Sequence, residues 1–473
     1  MTIAAIDQGT TSTRALALQP DGGVAVVKAL EHRQIYPRPG WVEHDPLELV
    51  RNILACAEAV PDPEALGIDN QGESCLAWDA ESCEPVSPVI VWQDSRTAAT
   101  IEALKADGAE ALTLERAGLP LDAYFSAAKL AWILANVPEA KSLHGRGRLR
   151  LGTSDAYFLH RLTGRCVTDI TTASRTSLMN IAGGGWDTEL CRLFGVPPET
   201  LPEIVPTTGD FGALEVGGRR VPVVASIVDQ QAALYGHGCR EAGDAKITFG
   251  TGAFALMVTG PEIRRAPEQG LLPTVAWQLA GEAAIYALDG GVYTASAAVN
   301  WARGLGLFDS FEALNTLQGE AAIDQGLAFV PALSGLACPH WDRRARGLWV
   351  GLSIDHGRDE MMKSILEGVA FRAAEVIAAM QAQVPSTAPV SIDGGMSRNS
   401  YFTRFLAEVL NREIRVAENA ELTGSGTAHL AAAASGRPAE AKALWTAVRP
   451  ERSRSAQLAT FSDAVAVARE WRG

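Results

Sequence analysis

A strand, a tight turn rich in Gly and Thr, and a second strand occur twice in this chain, about 240 residues apart, and this repetition constrains the fold more than any other feature. The first copy runs from residues 3–6 through Asp7-Gln8-Gly9-Thr10-Thr11-Ser12-Thr13 to residues 15–18; after the turn Asp21-Gly22-Gly23 a third strand is predicted over residues 24–27. The second copy runs from residues 245–249 through Gly250-Thr251-Gly252-Ala253 to residues 254–258. A length of 473 residues allows two or three domains of ordinary size, and two domains of like design satisfy both observations. Glycines at 238 and 243 place the boundary, giving domains over residues 1–240 and 241–473.

Between the two copies, apolar runs of strand length alternate with segments of helical period, which predicts an α/β architecture. Residues 221–228 are almost wholly apolar, as for a strand covered on both faces, and Asp229 ends the run. Apolar side chains at 3/4 spacing predict helices over residues 126–136 and 360–383, the second long and core-forming. A short strand at 390–392, a turn at Gly394-Gly395 and a helix over 401–410 follow.

With 47% hydrophobic and 20% charged residues, the chain can bury a large core. Its 41 basic and 55 acidic residues leave a net charge of −14, which opposes nucleic acid or an anionic membrane as partner and favours a small or neutral substrate. The basic clusters at 144–150 and 343–346 read as solvated loops. Seven cysteines, an odd number without Cys-x-x-Cys spacing, predict neither a disulfide framework nor a zinc knuckle, and hence a reducing, cytoplasmic setting. No basic stretch leads into an apolar one at the start, and no apolar run reaches about 18 residues, so neither a signal peptide nor a membrane span is expected. A homo-oligomer stays open.

Several common active sites are missing: there is no Gly-x-x-x-x-Gly-Lys-Ser/Thr loop, no Gly-x-Ser-x-Gly elbow and no His-Glu-x-x-His. Gly424-Ser425-Gly426 lacks the third glycine of a dinucleotide fingerprint and reads as the close-packed start of an Ala-rich helix. The first hairpin turn, by contrast, groups backbone N–H groups with the hydroxyls of Thr10, Thr11 and Ser12, so it can cradle phosphate without a lysine. Asp7 faces the same space and can hold a phosphate-bound Mg²⁺ through water. Thr251 and its flanking glycines offer a second cradle, although each turn alone also fits an ordinary hairpin. Asp229, at the carboxyl end of a buried strand, stands where open α/β sheets place ligands and can take a proton from an attacking hydroxyl; the same position also suits a helix N-cap.

These segments, in order, resemble the FGGY carbohydrate kinases, and within them the glycerol kinases. The likeness is carried by Asp7 to Ser12, by residues 34–46 (Gln-Ile-Tyr-Pro-Arg-Pro-Gly-Trp-Val-Glu-His-Asp-Pro), by residues 90–93 (Ile-Val-Trp-Gln), by Tyr124-Phe125-Ser126 with Lys129, by residues 173–176 (Ala-Ser-Arg-Thr), by Asp229-Gln230-Gln231, by Gly250-Thr251-Gly252, by Asp393-Gly394-Gly395, and by residues 347–352 followed by 360–367. The resemblance implies two actin-like ATPase (ribonuclease H-like) domains around a central cleft, the first mainly for substrate and the second mainly for nucleotide. It implies an ATP- and Mg²⁺-dependent kinase acting on a terminal hydroxyl of a small polyol or sugar. Asp229 would be the general base, Asp7 the Mg²⁺ acid, and Thr10, Thr11, Ser12, Arg14 and Thr251 the phosphate group's neighbours. Ser296, Asn300, Gly395 and Asn399 would meet the nucleotide; Gly72, Glu73, Tyr124, Asp229, Gln230 and Phe254 would surround the substrate.

The departures from the glycerol kinase pattern carry information too. Gly72 stands where those kinases carry an Arg before the substrate Glu, which removes a charged donor worth roughly 1.5–3 kcal/mol and opens room for a longer polyol. Tetritols, and after them a pentitol or ketose, are therefore alternatives to glycerol. Ser296 and Asn300 stand where Gly and Gln are common, Asn300 keeping an amide of shorter reach. The stretch 216–220 is too short for the Gly-rich regulatory loop of some relatives. A non-catalytic nucleotide- or polyol-binding sensor is the alternative of another class, and the retention of Asp7, Thr10 and Asp229 argues against it.

Overall fold

Each apolar run singled out in the sequence forms the element its spacing predicts. The computed structural model describes residues 2–438 and 445–471. It divides into two compact units, one of Met1–Gly238, Thr274–Tyr286 and Glu421–Lys442, the other of Cys239–Pro273, Ala287–Ala420 and Ala443–Gly473. The chain first passes from one unit to the other at Gly238–Cys239 and later returns to the first unit twice.

The first unit is built on a six-stranded sheet of β1 (Thr2–Gln8), β2 (Ser12–Leu18), β3 (Val24–Glu31), β4 (Pro63–Asn70), β5 (Ala213–Val216) and β6 (Arg219–Val228), in the order β5-β6-β4-β1-β2-β3. The hairpin β1–β2 is antiparallel, whereas β4 runs parallel to both β1 and β6. Three adjacent parallel strands therefore end on the same side, and their register places Gln8 opposite Asn70 and Asn70 opposite Val228. In an open α/β sheet, ligands sit beyond such carboxyl ends.

A helix from late in the chain, Leu422–Ala434, joins this unit. Gly426, one of the two glycines that the sequence marked as a close-packed start, explains how, together with Gly236 on the facing helix. A Cβ on Gly426 would lie 1.9 Å from the Ala232 carbonyl oxygen, and one on Gly236 would lie 2.0 Å from that of Leu422. Only glycine lets the Asp229–Gly236 and Leu422–Ala434 helices approach this closely. Leu430, Ala431 and Ala432 then bury themselves with Ile3, Ala65, Ala225 and Ile227.

A second sheet has seven strands, β7 (Ala245–Phe249), β8 (Ala253–Gly260), β9 (Leu272–Trp277), β10 (Ile285–Val292), β11 (Val390–Gly394), β12 (Ile414–Ala417) and β13 (Trp445–Val448), ordered β9-β10-β8-β7-β11-β12-β13, of which β7, β8, β11, β12 and β13 lie in the second unit. The wiring of the first sheet recurs: β7 pairs antiparallel with β8 across the Gly/Thr turn and parallel with β11. The helix over Arg358–Gln383 starts two residues before its expected position and buries Met362, Ile365, Leu366, Val369, Val376, Ile377 and Met380. The unit's core forms around that face.

Candidate active site

Strand register gathers the acids of the first unit. Asp7 on β1 lies opposite Asp69 on β4 and, across the hairpin, opposite Arg14 on β2. Asp69 is fully buried and accepts a hydrogen bond from the Thr427 hydroxyl at 2.7 Å. Burial pushes the Asp69 carboxyl well above the usual range, and the charges of Asp7 and Asp229 push it further. Asp7 is also raised by burial, against the hydrogen bond from Asp69 and the charge of Arg14. Burial and the mutual repulsion of neighbouring acids thus raise both carboxyls, that of Asp69 the more.

Asp229 follows directly on β6 and is the first residue of the Asp229–Gly236 helix. Its expected alternative, an N-cap, is not what forms: Val228 holds the cap position and no side chain caps this helix. The carboxylate instead accepts the Gln230 N–H at 2.6 Å and is half-buried. Its backbone is fixed from behind. The Val228 N–H donates to the Thr171 hydroxyl at 3.0 Å, and that hydroxyl donates to Asp169 at 2.7 Å. Asp169, raised to about 6 mainly by burial, caps the short turn Ile170–Ala173, while Thr172 donates to Asn70 at 3.2 Å. One acid therefore ties the ends of β4 and β6 together.

The substrate candidates lie just past β4. Glu73 is 4% exposed, adopts φ +58°, and receives Arg175 Nε on Oε1 at 2.8 Å. A positive φ at a non-glycine residue costs energy and is a mark of functional loops. At Gly72 a Cβ would come within 2.8 Å of a Val228 methyl, so the backbone there passes close to β6. Tyr124 packs edge-to-face on Trp92 at 5.6 Å, and the Trp92 indole N–H donates to the Thr10 hydroxyl at 3.1 Å. Thr10 heads the turn closed by the Gly9 N–H to the Ser12 carbonyl at 3.0 Å, with Thr11 exposed. Arg14 pairs with Glu421 at 2.9 Å.

In the second unit, the carbonyl of Thr251 accepts the N–H groups of Ala295 and Ala297 at 2.9 and 3.1 Å, and that of Gly250 accepts Ser296 at 3.1 Å. The turn is thereby docked on the start of the Ser296–Gly304 helix, where Ser296 is half-buried and Asn300 exposed. A Cβ on Gly252 would lie 2.7 Å from the Val292 carbonyl, so the turn requires glycine there. Phe254 is 38% exposed on β8, in this unit and not in the one that holds Glu73 and Tyr124. Gly395 opens the turn Gly395–Arg398 with no atom within 4 Å of where its Cβ would stand, room for a ligand to approach the backbone. Asn399 is different. Its side chain caps the Ser400–Leu410 helix and donates to the Leu314 carbonyl at 3.0 Å, so its amide serves the fold.

Sequence reasoning missed Asp69, Trp92, Arg175 and Asp169. Asp69 had a signal: it ends an apolar run, as Asp229 does. Among the described residues, no three His, Cys, Asp or Glu side chains converge as a metal cage. A Mg²⁺ that arrives on nucleotide phosphates needs only one or two carboxylates, and the Asp7–Asp69 pair fits that requirement. No described helix is long and apolar enough to cross a membrane.

Residues 2–236 match the model for the N-terminal domain of the FGGY family of carbohydrate kinases, and residues 245–435 match that for its C-terminal domain. A glycerol kinase of Alkalilimnicola ehrlichii is 42% identical over 490 residues, spanning 99% of this chain and 98% of that protein. One of Haloferax volcanii is 40% identical over 458 residues, spanning 92% and 90%. The crystal structure of Plasmodium falciparum glycerol kinase with ADP superposes with a TM-score of 0.92 at 28% identity, covering 99% of this chain and 98% of that one.

Proposed function

Because the chain belongs to the FGGY family of carbohydrate kinases, with its actin-like ATPase fold and ATP as phosphoryl donor, we propose that it phosphorylates a terminal hydroxyl of a small polyol with Asp229 as general base. The observation that carries this reading is the convergence of Asp7, Asp69 and Asp229 at the carboxyl ends of three adjacent parallel strands, beside the Thr10 turn. Asp229 takes the proton of the attacking hydroxyl, whose oxygen forms the new bond to the γ-phosphorus while the bond to the ADP oxygen breaks. The base contributes roughly 10²- to 10⁴-fold in rate. Thr10, Thr11 and Ser12 orient N–H groups and hydroxyls toward the transferring group, and Thr251 and Gly395 serve the nucleotide from the second unit. Asp7 holds Mg²⁺, which supplies neutralising charge on the phosphates when bound. Glu73, fixed by Arg175, accepts substrate hydroxyls, while Tyr124 and Trp92 form an apolar wall. The relatives named glycerol kinase make glycerol the first candidate. Gly72 favours a tetritol as the second, since no side chain fills that position. Seven free cysteines support a cytoplasmic setting.

An ADP-release assay over three- to five-carbon polyols and ketoses, with Asp229→Asn beside the wild type, tests this. The expected result is turnover on a three- or four-carbon polyol and a loss of at least about 10²-fold in the variant. Near-wild-type turnover by Asp229→Asn would refute the base assignment. Binding without product from any of these substrates would instead favour the sensor reading.

A further inference from the structure

Residues 34–46 carried part of the family likeness, yet no substrate or nucleotide role absorbs them. Two of their side chains, Gln34 and His44, lead with the nearby His32 to one atom. The Thr10 carbonyl oxygen receives His32 Nε2 at 2.9 Å and Gln34 Nε2 at 2.8 Å, and the His32 backbone N–H donates to the Thr11 carbonyl at 3.2 Å. Since a carbonyl only accepts, Gln34 must turn its NH₂ toward Thr10 and its Oε1 away. That Oε1 faces His44 Nε2 at 2.9 Å, so His44 donates from Nε2 and accepts at Nδ1, where the Gln71 amide donates at 3.2 Å. The two His44 links require a neutral imidazole, whereas His32 needs only a proton on Nε2. Burial favours the neutral form in both: it holds His44 down at about 3 and lowers His32 as well, the two rings packing edge-to-face at 4.6 Å. Gln71 is itself tied to the hairpin, its N–H donating to the Gln8 carbonyl at 2.9 Å.

The consequence lies in peptide geometry. The Thr10 C=O and the Thr11 N–H belong to one rigid trans plane and point in opposite directions. Two donors that hold the oxygen from behind therefore aim the Thr11 N–H forward, at the face of the turn that meets phosphate in the function proposed above.

We propose that His32 and Gln34 are positioning residues for phosphoryl transfer: they orient the Thr10–Thr11 peptide, and His44 with Gln71 locks the Gln34 amide in the one orientation that can donate. The proposal rests on the reading of the Thr10 turn as the phosphate cradle. Removing a donor aimed at developing charge typically costs 10²- to 10³-fold, and loosening its aim from behind costs less, about 10-fold.

The test compares Gln34→Met, His32→Leu and His32→Gln with Thr10→Val and the wild type, by steady-state kinetics and melting temperature. Gln Nε2 reaches as His Nε2 does, so His32→Gln restores the donor that His32→Leu removes. The expected result is a kcat lowered about 10-fold in Gln34→Met and His32→Leu, with KM for the polyol within about threefold. His32→Gln should return kcat to within about threefold of wild type, and the double variant Gln34→Met/His32→Leu should lose less than the product of the single losses. Wild-type kcat in a folded Gln34→Met or His32→Leu, or equal loss in His32→Leu and His32→Gln, overturns the proposal. Should Gln34→Met fail to fold, the His32 pair decides. If Thr10→Val itself keeps wild-type kcat, the cradle reading fails; if Thr10→Val is impaired and the others are not, only the positioning role fails.

Discussion

Restoring an arginine at position 72 probes substrate choice, and the structure shows why the single substitution is insufficient. A Cβ at this position would stand 2.8 Å from Val228 Cγ2, inside the 3.4 Å at which ordinary contact begins. Val228 is 2% exposed and β-branched, so its methyl has little freedom to move aside. Such overpacking costs about 1–3 kcal/mol, and Val228 directly precedes Asp229, so a shift there would also move the base. Gly72→Arg alone is therefore expected to lower both stability and kcat on every substrate. Adding Val228→Ala removes the clashing methyl, and the guanidinium can then donate to a hydroxyl of a short polyol. A charge-assisted hydrogen bond is worth about 1.5–3 kcal/mol, or roughly 10- to 150-fold in kcat/KM. The assay is the ratio of kcat/KM for glycerol to that for a tetritol in the wild type, Val228→Ala, and Gly72→Arg/Val228→Ala. The ratio should rise toward glycerol by at least about 10-fold in the double variant only. An unchanged ratio in a folded double variant would refute the argument from Gly72.

Two further outcomes follow from close packing and from burial. Gly236→Ala should cost more than about 3 kcal/mol, since its Cβ would meet the Leu422 carbonyl at 2.0 Å and backbone cannot yield as a side chain does; Gly145→Ala, with open space around it, should stay within about 1 kcal/mol, and chemical denaturation compares the two. His44, held neutral to about pH 3 in the fold, has a folded pKa below its unfolded value of 6.5. Its contribution is thus present above pH 6.5 and lost as pH falls, by about 2 kcal/mol between pH 6.5 and 5, so His44→Gln should flatten that part of the stability–pH curve. An equal slope in both proteins would show that other groups govern it.

Local pattern revealed the elements, and long-range register determined the site. The hairpin turns, the apolar run into Asp229 and the close-packed glycines at 424 and 426 were legible because each depends on neighbours in sequence. Asp69 was legible by the same rule as Asp229, but its meaning arises only when β4 aligns it with Asp7. His32, Gln34 and His44 gave no sign that they converge on Thr10, because their spacing matches neither a helix face nor a metal motif. Asn399 marks another limit: its amide caps a helix, and no local feature separates a capping amide from a binding one.

The return of the chain to its first unit also sets a timetable. Asp69 and the Thr427 hydroxyl that satisfies it are 358 residues apart. At 5–20 residues per second, a ribosome spends on the order of 20–70 s between them. Throughout that interval the first sheet lacks the helix that covers Ile3, Ala65 and Ala225, and the acid pair lacks its hydroxyl donor. The unit that begins first is thus among the last to be completed, which gives the nascent chain a long exposure to chaperones. A fragment ending at Gly238 would remain in that unfinished state.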